Sequence, residues 1–159
     1  MRRLGVVLAI ALLVGCSSST SVRPLGGTYD LVTVDGQRLP QPLDSASYTP
    51  EVLAGTLDVG ADTLNLTLSL QAIDSTGMAV GAVFPMTGVI PYVRHGDSLL
   101  TVSDTGSYGD GLVGPAPGAQ QEIGRLSGSD VQLYLYTAIA SSRGFPNTSR
   151  RRFLFSPAP

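Results

Sequence analysis

Between Thr63 and Leu70 the chain alternates without a break, with Leu64, Leu66, Leu68 and Leu70 separated by Thr63, Asn65, Thr67 and Ser69. Apolar residues at strict period two belong to a strand with one buried face and one wet face, since successive side chains point to opposite sides of a sheet. A helix would scatter the same leucines around its circumference. The rest of the chain agrees with that reading. Nineteen glycines, eleven prolines and two glutamates disfavour helix, while Thr, Val, Leu and Tyr in short runs favour strand.

Turn chemistry divides the sequence into about eight such strands. Gly27–Val34 is stopped by Asp35-Gly36, with Gln37–Leu39 continuing as far as Pro40. Leu43–Pro50 reads as irregular, Glu51–Val59 as strand, and Asp74–Gly77 as the turn after the leucine strand. Met78–Phe84 is expected to end at Pro85. Thr87–Val93 and Ser98–Ser103 flank His95-Gly96-Asp97, a hairpin signal. Residues 104–119 are rich in Gly and Pro and read as a long surface loop. Glu122–Leu126 and Val131–Thr137 flank another hairpin at 127–130. Arg151–Phe155 closes the series, with Phe153 and Phe155 on one face. An antiparallel barrel is expected, with a β-sandwich as the alternative. Closure is attractive because an open sheet of eight strands exposes two edges.

The N-terminus differs from everything after it. Arg2 and Arg3 precede an uncharged run of 11 residues, Leu4–Val14, and then Gly15. This is the order of a secretory signal, and the run is too short to span a bilayer, which takes about 20 apolar residues. Leu13-Val14-Gly15-Cys16 resembles the lipobox of bacterial lipoproteins. The resemblance implies cleavage before Cys16, lipid on its thiol and an acylated new amine. Several chains give stable anchoring where one gives only reversible binding. The organisation expected is a signal peptide at 1–15, a lipidated Cys16 with a Ser-rich flexible tether to residue 24, and an all-β domain at 25–159. Position 17 is Ser rather than Asp, which under the sorting pattern of such lipoproteins implies the periplasmic face of the outer membrane.

Cleavage would leave 144 residues, enough for one domain. Cys16 is the only cysteine, so no disulfide staples the fold. Without Arg2 and Arg3, eight arginines face twelve acidic residues, and lysine is absent. That balance argues against nucleic acid as a partner, which would need clustered positive charge. The run Arg150-Arg151-Arg152 leads into the last apolar segment and reads as a local feature.

Gly27-Thr28-Tyr29 at the head of the first strand resembles the Gly-x-Trp of lipocalins, with Tyr in place of Trp. In that family the aromatic plugs the closed end of the barrel and an arginine from the last strand packs on it. The resemblance therefore implies a Tyr29–Arg152 contact, with Arg151 as the alternative in register. It also implies a barrel whose interior or mouth accepts a small apolar ligand. Tyr134 and Tyr136 are the candidate ligand contacts, because they share one face of their strand while Val131, Leu133 and Leu135 share the other. The alternative is ordinary core with half-wet tyrosines, in an envelope protein that acts structurally or through protein contacts.

Catalytic patterns are thin. Asp104-Thr105-Gly106 matches the core of aspartic proteases, but those need two carboxylates sharing a proton, and Ile123-Gly124-Arg125 follows after only 19 residues. His95 is the sole histidine and sits in a turn, and no Gly-x-Ser-x-Gly accompanies it. No metal-ligand spacing is present. The chain is expected to be a monomer without cofactor, metal or enzymatic activity.

Overall fold

The computed structural model describes residues 25–43, 48–102, 107–109, 112, 113, 118, 120–140 and 146–159. Its elements are all strands: β1 (Gly27–Val34), β2 (Gln37–Arg38), β3 (Gln41–Pro42), β4 (Tyr48–Val59), β5 (Thr63–Asp74), β6 (Ala79–Pro91), β7 (Val93–His95), β8 (Ser98–Val102), β9 (Ser107–Gly109), β10 (Leu112–Val113), β11 (Gln120–Ser127), β12 (Asp130–Ala140) and β13 (Pro146–Pro157). The leucine alternation lies in β5, where Leu64, Leu66, Leu68 and Leu70 are buried and Asn65 and Thr67 are exposed.

These segments merge into eight antiparallel staves. β7 carries β6 onward past Tyr92, β9 carries β8 onward, and β10 precedes β11. Pairing runs from β1 to β4, β5 and β6, from β7 to β8, then through β11, β12 and β13 back to β1. The second connection, β6 to β9 to β10 to β12, closes the path again further along. One continuous sheet curled on itself makes a small barrel, not the two stacked sheets of a sandwich.

The staves define two ends. The start of β1, the end of β13 and the turns at 60–62, 96–97 and 128–129 lie at one, the turn end. The Asp35-Gly36 turn, the Asp74–Met78 turn and the paired β9 and β10 lie toward the other, the loop end. Asp35 and Gly36 both have positive φ, 52° and 81°, which is the backbone a two-residue hairpin of this hand requires.

Three strands run longer than their sequence signals. β6 passes through Pro85, which pairs with Ser69, and continues to Pro91. Among the described residues β6 meets a strand on its other side only at Gly88, so the missing N–H of Pro85 removes nothing from that ladder. β4 begins at Tyr48, three residues early, and β13 spans Pro146–Pro157 rather than its apolar centre alone.

The turn after β5 is built by one carboxylate. Asp74 accepts bonds from the Thr76 hydroxyl at 2.6 Å, the Thr76 amide at 2.8 Å and the Met78 amide at 3.0 Å. These donors, the Thr76 hydroxyl foremost, hold its pKa below the ordinary 3.8. A depressed folded pKa means the turn's stabilisation is present above the unfolded value and is lost as pH falls through the folded one. Amide NMR of Thr76 and Met78 is expected to titrate with a midpoint below 3.8. A midpoint at or above that value would show these bonds are not made in solution.

Candidate functional site

Cys16 and the tether lie outside the described residues, as do Asp104, Thr105 and Gly106. Gly27 opens β1 at φ 99°, a conformation L side chains rarely adopt. Tyr29 is buried at the turn end. Beside it Tyr92 donates to the Gly60 carbonyl at 2.9 Å, and burial pushes the Tyr92 phenol pKa up.

The expected Tyr29–Arg152 contact is not made. The β1–β13 register sets Tyr29 opposite Pro157, and the Ala158 amide donates to the Thr28 carbonyl at 3.0 Å. Arg152 stands five residues back along β13, about 17 Å away at ~3.3 Å per residue. Arg151 is further still. The cause is the length of β13, which runs past Phe155 to Pro157.

The triple arginine is divided by the strand's own period. Arg150 and Arg152 are exposed, whereas Arg151 falls in phase with the buried Phe153 and Phe155. Arg151 donates through Nη1 to Asp35 Oδ2 at 2.8 Å and through Nη2 to the Leu43 carbonyl. Asp35 also accepts from the Arg152 amide at 2.9 Å and donates its own amide to the Arg152 carbonyl at 2.7 Å. This latch holds the segment 35–43 at the loop end. β1 and β4 pair directly only from Gly27 to Asp30, and β2 and β3 occupy the gap where they part. Leu43 is buried there, its amide bonded to the Pro50 carbonyl at 2.9 Å.

Among the described residues the inward side chains pack on one another. Val34, Val52, Leu57, Leu64, Leu68, Ile90, Leu99, Val131, Leu133, Phe153 and Phe155 are each 0 % exposed. A water-sized gap beside any of them would leave accessible surface, so the side chains abut as in an ordinary protein core. The stretch expected to be surface loop adds to this core, since Tyr108 of β9 and Leu112 of β10 are buried. Glycine makes the room. A Cβ on Gly124 would come within 2.8 Å of Leu133 Cδ2.

Tyr134 and Tyr136 occupy the other side of β12. Both are half-buried and alternate with the core residues Leu133 and Leu135. Tyr134 donates to Gln132 Oε1 at 2.8 Å, and the Arg150 guanidinium lies 4.9 Å above its ring. Arg150 Nη2 also donates to the Glu122 carbonyl at 3.3 Å. The Glu122 carboxylate is paired with Arg125, which holds its pKa down, and accepts from Ser98 at 3.3 Å.

Two further surfaces stand out. Met78–Pro85 carries no polar side chain, and Met78, Val80, Val83 and Phe84 are exposed at the loop end. His95 is exposed next to its turn, while Ile123 and Gly124 of the protease-like segment are buried in β11. Among the described residues no three His, Cys, Asp or Glu side chains group as a metal site. No protein-family model, curated protein or solved structure matches the chain.

Proposed function

We propose that the chain is a lipid-anchored envelope lipoprotein whose barrel works by contact from its outer surface rather than by holding a ligand inside. The observation that carries this reading is the packed inner face, from Leu64 on β5 round to Phe153 on β13. A small apolar ligand needs a cavity of a few hundred Å³, and these described inward side chains are spent on one another, with 0 % of their surface accessible. Tyr134 and Tyr136 lie on the other side of the sheet, which makes them surface contacts. The anchor rests on Leu13-Val14-Gly15-Cys16 and the Ser-rich run after it, with the periplasmic face of the outer membrane as the location. No enzymatic step is assigned.

Cys16→Ala is expected to move the protein out of the membrane fraction and to block signal processing. An unchanged membrane fraction would sink the anchor. Organic extraction of the purified chain, followed by mass spectrometry, is expected to yield no stoichiometric non-covalent lipid. Recovery of one per chain would return the small-ligand reading.

A further inference from the structure

The register places four arginines on one wall of the barrel. Leu154 of β13 lies opposite Thr33 of β1 and Gln132 of β12, Thr33 opposite Arg38 of β2, and Gln132 opposite Arg125 of β11. Leu154 alternates with the buried Phe153 and Phe155, so this row is the outward one. It runs Arg38, Thr33, Leu154, Gln132, Arg125 over about 19 Å, at ~4.8 Å per strand. The next row pairs Arg152 with Tyr134, and the one after pairs Arg150 with Tyr136. Rows follow each other at about 7 Å.

Charge on this wall runs against that of the whole chain, which is −2. Arg38, Arg125, Arg150 and Arg152 stand beside two acids, and both are already paired: Glu122 with Arg125 and Asp35 with Arg151. Arg38 and Arg152 are exposed, and among the described residues neither side chain has a hydrogen-bond or ionic partner. The Arg150 guanidinium lies over the Tyr134 ring and donates through Nη2 to the Glu122 carbonyl, yet the residue stays exposed. Guanidinium forks match carboxylates, and arginine with tyrosine is the pairing enriched where proteins bind each other.

We propose that this wall docks an acidic, Asp/Glu-rich segment of a partner protein, with Arg150 and Arg152 as its principal contacts and Arg38 and Arg125 flanking. The inference rests on the surface-contact reading above and names the partner's chemistry. Charge complementarity selects an anionic occupant. The margin of the wall selects a protein over a lipid surface. Toward the turn end, where β1 begins, the next outward positions bring Asp30 beside Ser156, whose hydroxyl donates to Asp130 at 2.9 Å. Those carboxylates would repel lipid phosphates on the side nearest the anchoring membrane.

The test uses the full chain in neutral detergent micelles and a fluorescein-labelled Glu-rich decapeptide, followed by anisotropy. Binding is expected at ~20 mM salt and is expected to weaken at ~200 mM. R150Q/R152Q is expected to raise Kd about tenfold, in line with two lost exposed charge contacts, while Arg94→Gln on β7 leaves it within about twofold. Both replaced residues are exposed, so the variant's circular dichroism should match the parent's. No binding at low salt, or an equal loss in Arg94→Gln, overturns the proposal. So does loss of peptide binding when the micelles are doped with phosphatidylglycerol, if that loss needs Arg150 and Arg152, because the wall would then be a lipid site. None of these outcomes bears on the extraction experiment, which tests the packed inner face separately.

Discussion

Phe153→Ala is expected to lower the unfolding free energy by about 3–5 kcal/mol, the range for deleting a buried aromatic ring. Phe153 is 0 % exposed and sits between two ladders, opposite Val34 on β1 and Leu133 on β12. Those partners are held by their own strands, so the space left by the ring cannot collapse fully. With one cysteine in the whole chain, no covalent link limits the loss. A domain of this size has about 5–15 kcal/mol in all, so the variant gives up a large part of its stability. Urea unfolding followed by far-UV circular dichroism reads this as a lower midpoint at unchanged slope. Leu154→Ala, one residue on and outward, is expected to stay within about 1 kcal/mol. Equal losses at the two positions would mean the interior is not packed as described.

Gly109→Ala is expected to destabilise by about 2–3 kcal/mol, combining backbone strain with overpacking. Gly109 has φ 137°, and a Cβ there would press into the Thr87 carbonyl and lie 3.0 Å from Gly88 Cα. Both obstacles are backbone, so neither can swing aside. The Gly88–Gly109 pair is the one described ladder pair between β9 and β6. Gly118→Ala is the comparison, since its φ is 76° but a Cβ there would meet nothing within 4 Å. That change carries strain alone, about 1 kcal/mol. Thermal or urea unfolding of the two variants separates the terms. A Gly109 variant no weaker than the Gly118 variant would show that the close approach of β6 and β9 does not contribute.

Local chemistry explains which features were legible from sequence. Leu64 to Leu70 announce β5 because period two needs only neighbours in the chain, and Asp35-Gly36 and Gly96-Asp97 announce their turns for the same reason. β9 and β10 were not visible because three and two residues carry no period, and the glycines around Tyr108 and Leu112 read as loop. Pro85 misled because a proline ends a strand only if its N–H side has a partner, which is a tertiary fact. Arg151 was within reach. Once Phe153 and Phe155 share the inner face, parity puts Arg151 there and sends Arg150 and Arg152 outward. The lipocalin resemblance pairs Arg152 with Tyr29 instead, and the true length of β13 separates them. The arginine wall was hidden for a different reason, because Arg38 and Arg125 are 87 positions apart and only the register lines them up.

The ladder between β1 and β13 joins the first and last strands of the domain. Every other long neighbour pair is made from segments close in sequence, so most of the sheet can form as the chain becomes available. The seam cannot. Until residues 153–157 arrive, Leu31 and Val34 lack one wall, and the loop-closure entropy of nearly the whole domain opposes the last step. A chain cut short by even a dozen residues is therefore expected to stay an open, sticky sheet. The same seam makes closure a late step, so a growing chain holds its apolar inner face open until its tail has been made.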